Sequence, residues 1–251
     1  MSGKSQQGKD QPDPRQFATT HWSLVLAAKP NEASRTSARE ALEKLCRAYW
    51  YPLYAFVRSR GYSAVDAQDL TQAFFARIFE TEGLASADRE KGRFRSYLLG
   101  AMKHFLANEW HRAQTLKRGG REQFIDWEAL DPEPRYTGAS RWSENPEQLF
   151  DREWALETIA GALNALRSEM EKAGKGDLFE ALRGSLTGGE ELPREEIAAN
   201  LGMSVGAVKV AVHRLRQRFR RMLRAAIAET VSNEADLDDE MRYLVEVLRR
   251  R

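Results

Sequence analysis

Two stretches of this sequence concentrate cations at a density suited to a polyanion. Residues 205–224 hold seven Lys or Arg and no acid, and residues 89–121 hold nine against two Glu. Between them, residues 126–157 carry nine acids and three Arg, so the net charge of +2 conceals strong segregation. Two basic segments separated by an acidic one point to two polyanion-facing surfaces on one chain. Either segment alone could also be a solvated helix face.

Bond-making chemistry finds no comparable support. His21, His104, His111 and His213 are scattered, and no Cys/His group has metal-ligand spacing. Cys46 lacks a nucleophile signature and reads as core; being single, it excludes an internal disulfide. Glu195-Glu196 and Asp238-Asp239 are adjacent pairs, which do not share a helix face and make no acid/base couple. There is no glycine-rich phosphate loop. The expectation is a protein that is not an enzyme and has no cofactor and no metal.

Such cations must be positioned by helices. At 251 residues, with 42% hydrophobic and 30% charged, the chain fits one large domain or two small ones. No stretch approaches the roughly 18 apolar residues of a membrane span. Residues 1–15 are polar and lack a signal-peptide core, so the expected address is the cytoplasm. Over residues 38–58, Leu42, Leu45, Tyr49, Leu53 and Phe56 recur at helical spacing, interrupted by Pro52. Ser63 and Asp66 form a capping signature for a helix over 64–80, with Leu70, Phe74, Phe75, Ile78 and Phe79 on its apolar face. A helix over 94–114 mixes Phe94, Tyr97, Phe105 and Trp110 with Arg93, Arg95, Lys103, His104, His111 and Arg112. Residues 117–146, with Gly119-Gly120, Pro132, Pro134, Gly138 and Pro146, read as a linker in which Trp127 or Trp142 could dock. Helical spacing resumes at Leu149, Trp154, Leu156, Ile159, Leu163 and Leu166, and a short helix is expected over 177–186. No β alternation persists and no repeat occurs.

The strongest local pattern lies over 192–224. A short helix over 194–200 turns Ile197, Ala198 and Leu201 inward. Gly202 in the turn can take a positive φ, and Ser204 can cap the next helix. Val205, Val208, Val212, Leu215, Phe219 and Met222 then form one apolar stripe. This is a helix-turn-helix, which lays its second helix in the major groove. Opposite the stripe lie Gly206, Val210, His213, Arg214, Gln217 and Arg221, with Lys209 and Arg220 on the flank. Gly206 and Ala207 are small enough for close approach to DNA. Lys209 and Arg214 are candidates for base edges or phosphates, and Arg216, Arg218 and Arg220 for phosphates. Val210, apolar on a polar face, suits a thymine methyl. A helical hairpin with a solvated basic face is the plainer alternative.

With these blocks in order, the chain resembles the extracytoplasmic-function class of RNA polymerase sigma factors. The run DAQDLTQAFFARIF from Asp66 looks like their region 2 helix, and Phe94-Arg-Ser-Tyr-Leu through Asn108 like their promoter-melting segment. REEIAANLGMSVGAVK from Arg194, with His213-Arg-Leu-Arg, is similar to their region 4 helix-turn-helix. The resemblance covers roughly residues 38–116 and 147–226. It implies core RNA polymerase as partner, through the β′ clamp helices and the β flap, with promoter DNA. Asp66, Asp69, Leu70, Gln72, Phe75 and Arg77 would then face polymerase. Arg95, Lys103, His104, Asn108 and Arg112 would meet a −10 element as single strand, a task requiring aromatic stacking beside a cationic track. Tyr97, Phe105 and Trp110 could stack, though Tyr97 and Phe105 are expected mostly in the core. Arg194, Ser204, Ala207, Lys209, Val210, His213, Arg214, Arg216 and Arg218 would meet a −35 duplex. Two positions depart from the pattern: Ala211 stands where members often carry arginine, and His104 is an uncommon choice.

The expected fold is therefore all-α: two small helical domains joined by a linker, the second with the helix-turn-helix. Residues 1–16 are a disordered leader, 17–116 a region 2-like domain, 117–146 the linker, 147–228 a region 4-like domain, and 229–251 an acidic, amphipathic extension. In that extension, residues 229–240 hold six acids and no base, and Leu237, Met241, Leu244, Val245 and Leu248 recur at helical spacing. It reads either as a final helix packed on its own domain or as a regulator, shielding the basic helix or docking a partner such as an anti-sigma protein. A duplex-binding regulator that replaces no sigma subunit is the alternative function; it explains 192–224 but not the aromatic–basic helix.

Overall fold

A computed structural model describes residues 32–80, 93–115, 132–133, 135–136, 145–187, 193–231 and 233–250. The expectations for residues 1–16, Trp127 and Trp142 lie outside them. The described chain is helical: α1 (Glu32–Ser59), α2 (Ala64–Glu80), α3 (Phe94–Thr115), α4 (Pro146–Lys172), α5 (Gly176–Leu182), α6 (Gly184–Thr187), α7 (Arg194–Asn200), α8 (Val205–Ala228) and α9 (Glu234–Arg249). The expected 177–186 helix is thus two short ones. Among the described residues there is no strand, and no helix is long and apolar enough to cross a membrane.

Residues 49–57 of α1 are all buried, which a helix with one apolar stripe cannot achieve. They are buried because α2, α3 and α4 pack around them. Pro52 sits inside α1 without ending it; the lost backbone bond is tolerated in a segment held from several sides. Tyr49 meets Phe94 of α3 edge-on, ring centres 5.1 Å apart, and Phe150 of α4 lies 6.5 Å away. Phe56, Phe75, Leu98, Met102 and Leu149 complete this cluster, to which α9 adds Leu237, Leu244 and Val247.

A second cluster joins Leu166, Met170, Phe179, Leu182, Ile197, Val208, Val212 and Leu215. α4 and α8 run through both clusters: Leu149 to Ala162 and Leu223 to Ile227 belong to the first, Leu166 and Val208 to Leu215 to the second. Part of the expected linker is tied down as well. Glu133 accepts from Arg58 at 2.6 and 3.0 Å and from the Tyr54 hydroxyl at 2.5 Å. Arg135 lies 3.7 Å from the Tyr51 ring centre and pairs with Glu153 and Glu157 of α4. The segment therefore runs against α1 and α4.

Candidate nucleic-acid interface

α7, a short turn and α8 are set by local chemistry. Gly202 takes φ +60, a conformation costly for any residue with a Cβ, and lets the amide of Met203 donate to the Ala198 carbonyl at 2.9 Å. The Ser204 hydroxyl accepts from the Ala207 amide at 3.2 Å, capping α8. Ile197 and Ala198 of α7 pack on Val208, Val212 and Leu215 of α8. That packing turns the opposite face outward: Gly206, Lys209, Val210, His213, Arg214, Gln217, Arg220 and Arg221 are all exposed. Val210 keeps 49% of its surface despite being apolar. It lines a groove of about 390 Å³ with Met203, Gly206, Ala207 and Arg214. His213 and Gln217, one turn apart, lie 3.1 Å from each other. Arg194 is exposed on α7, and Ala207 is half-buried.

Two expected phosphate contacts are engaged within the protein. Arg216 donates to the Ser185 carbonyl at 3.0 and 3.2 Å, tying α8 to α6. Arg218 reaches Met170 Sδ at 3.1 Å and Glu169 at 3.6 Å, tying α8 to α4. Arg216 nonetheless stays exposed, and Arg218 lines the same groove as Val210 and Arg214.

α3 presents a second outward face. Lys103, His104, Ala107, Asn108 and Trp110 are exposed, Trp110 by 57%. Phe105 is buried against Phe74, and Tyr97 is half-buried beside Phe94, so both act mainly as core. The side chain of Arg112 lies outside the described residues. Lys103 donates to Glu147 at 2.7 Å.

Arg95 is a correction. It is only 8% exposed and turns away from the face that carries His104 and Asn108. It pairs with Asp151 of α4 and with both oxygens of Glu240 of α9, at 3.2 and 3.3 Å. Burial works against its charge, but Glu240 and Asp151 outweigh that and hold its pKa above the ordinary arginine value. Helical spacing shows which side of α3 is apolar; it cannot show that two acids from distant segments come to cover a cation. Phe75 is likewise no surface residue: it lies in the core, 5.5 Å from Phe74.

On α2, Ser63 and Asp66 form the expected cap, with the hydroxyl donating to the carboxylate at 2.7 Å and the Asp66 amide returning at 3.1 Å. Asp66 and Arg77 are exposed, and Asp69, Leu70 and Gln72 half-exposed. Val65, 68% exposed at the start of the same helix, escaped sequence reasoning, since its spacing fits no face. Among the described residues no group of His, Cys, Asp and Glu could hold a metal ion.

An all-helical chain with a capped helical pair offering a cationic face, and a second aromatic–basic helix, has the make-up of a transcription-initiation subunit. The chain is 31% identical over 160 residues to the RNA polymerase sigma-E factor of Streptomyces antibioticus, a match covering 63% of this chain and 71% of that protein. It is 28% identical over 197 residues to the ECF RNA polymerase sigma factor SigE of Mycolicibacterium smegmatis, covering 78% and 67%. No family model and no solved structure matches it. The chain belongs to the extracytoplasmic-function family of RNA polymerase sigma factors.

Proposed function

We propose that this sigma factor joins core RNA polymerase through the outward face of α2, reads a −35 duplex with α8 and engages an unpaired −10 strand with α3. The observation that carries the reading is the pairing of two distinct outward faces. α8 offers Lys209, Val210, His213 and Arg214 at the start of a helix braced from behind, the geometry suited to a major groove. α3 offers His104, Asn108 and Lys103 with an exposed Trp110, the mixture suited to a flexible strand with stackable bases. A duplex reader alone has no use for the second face.

Roles divide by chemistry. Arg194, Lys209 and Arg214 supply charge for phosphates or guanine edges, Val210 meets a thymine methyl, and Ala207 lets the backbone come close. With alanine at 211, fewer cations reach the duplex, so more of the promoter preference falls on the strand that α3 holds. Asp66, Asp69, Leu70, Gln72 and Arg77, with Val65, form the polymerase-facing set, where an apolar residue among charges gives an anchor with a polar rim. Residues 17–116 serve polymerase and the −10 strand, and 147–228 the −35 duplex. The β′ clamp helices and the β flap are the surfaces to which these parts attach, and the work is done in the cytoplasm.

The test is reconstitution. The purified chain is added to core RNA polymerase on templates selected from random DNA, and run-off transcripts are scored. Promoter-specific initiation that depends on the chain is expected, and Asp66→Ala/Asp69→Ala should lower it while leaving duplex binding unchanged. Binding to selected DNA with no transcripts would return the chain to the class of simple duplex regulators.

A further inference from the structure

Arg93 and Arg95 stand at the opening of α3, and both are held from α9. Arg93 reaches Asp239 at 3.1 Å, Glu240 at 3.3 Å and Asp236 at 3.6 Å. The Arg95 guanidinium, besides its pairs with Asp151 and Glu240, lies 4.4 Å from the ring centre of Tyr243 and 4.9 Å from that of Trp154. Tyr243 closes the circuit by donating to Asp151 at 2.5 Å. The Phe94 amide donates to the Thr230 carbonyl at 3.0 Å, and Arg93 forms a bridge with Val231. Three parts of the chain thus meet at one arginine: the start of α3, the first turns of α4, and α9. One turn earlier on α4, Glu147 takes the charge of Lys103.

The acids of α9 therefore do not shield the outward face of α8. Glu234 and Asp238 meet that helix near its end, where Arg224 pairs with Asp238 at 2.5 Å and Glu234 at 3.3 Å. Asp236, Asp239 and Glu240 face the start of α3. A junction of this kind specifies one arrangement more than it strengthens it, because desolvation of buried ions offsets most of their attraction. Once parted, the charged groups are welcomed by water. The apolar residues beside them, Leu149, Phe150, Leu237 and Leu244, are not, so opening also uncovers part of the first cluster and needs a partner to cover it.

We propose that α9 is a latch, closing the chain by tying the start of α3 to α4 through Arg95, Asp151 and Glu240. The inference rests on the sigma-factor reading above, in which α3 must offer Lys103 to a strand. While the latch is shut, α4 lies beside that edge of α3 and Glu147 pairs with Lys103, with both side chains still partly exposed. Opening frees Lys103 and lets α4 and α9 draw away from the start of α3, which also parts apolar contacts of the first cluster. Arg95 is in this account a positioning residue.

The test tethers and releases the latch in the full chain. Arg93→Cys/Asp239→Cys is joined by a short bismaleimide with a reducible centre; Cys46 is buried and does not compete. With core polymerase, run-off from a selected promoter should fall about tenfold on tethering and recover when the centre is reduced. Recovery excludes misfolding as the cause. In the opposite direction, Asp151→Asn/Glu240→Gln should raise the radius of gyration by about a tenth without loss of helical circular dichroism. If the tethered chain initiates as well as the reduced one, the latch is overturned and the sigma reading stands. An unchanged radius in the folded variant overturns it equally. If the wild-type chain gives no transcript, the sigma reading fails, and the scattering comparison still decides whether the junction opens.

Discussion

The buried guanidinium of Arg95 matters most for the two acids its loss would strand. Without it, Asp151 and the nearly inaccessible Glu240 stand side by side, with Arg93 as a remaining nearby cation. Arg95→Ala is therefore expected to cost on the order of 3–5 kcal/mol in urea denaturation, far more than an exposed pair is worth. A loss below about 1 kcal/mol would show that the two acids find other partners or water. The outward residues of α8 were legible in the sequence because one stripe of Val, Leu and Phe fixes the opposite side of the same helix. Arg95 was not legible. Its partners stand 56 and 145 residues away, and helical spacing carries no information across such distances. Phe75 failed for a related reason: α2 is covered on more than one side.

Element boundaries followed from chemistry that is local. α2 begins where Ser63 and Asp66 cap it, and α7 spans the residues its apolar spacing marks, because each start signal lies within four residues of the helix it sets. By composition Pro146 closes a linker; with Asn145 accepting from the Glu147 amide at 2.9 Å, it is instead the first turn of α4. The cap on α8 gives a test at this scale. Ser204→Ala removes the acceptor for the Ala207 amide and should destabilise the helical pair by about 1 kcal/mol, seen as a lower denaturation midpoint. Because α8 is also held by Arg216 and Arg218, helix content should be unchanged. A variant that lost helix content would mean that the cap, and not the packing behind it, positions α8.

At the scale of the molecule, two apolar clusters share α4 and α8, and the segment around Glu133 ties α1 to α4. That tie is sensitive to acid. The hydrogen bond from Arg58, aided by Tyr54, holds the Glu133 carboxyl below its ordinary value against a smaller opposing effect of burial. The unfolded chain then binds the extra proton first, so this part of the stability is present above about pH 4.3 and is lost as pH falls through the lower folded value. The difference in denaturation midpoint between wild type and Glu133→Gln should accordingly shrink between about pH 5 and about pH 3; a constant difference would show that the pair contributes no linked proton. None of this tie was visible in a stretch whose prolines and glycines read as a linker, although Glu133, Arg135 and Tyr136 are helical, the Tyr136 amide donating to the Pro132 carbonyl at 3.0 Å. The order in which the latch is assembled has a consequence for the protein's first moments. Glu240 follows Arg95 by 145 residues, so at roughly 5–20 residues per second the ribosome delivers the acid roughly 7–30 s after the arginine. For that interval Arg95 and Lys103 already have Asp151 and Glu147 to pair with, while Arg93 waits for the acids of α9. Each molecule is born with its latch half made, and completes it only as synthesis reaches α9.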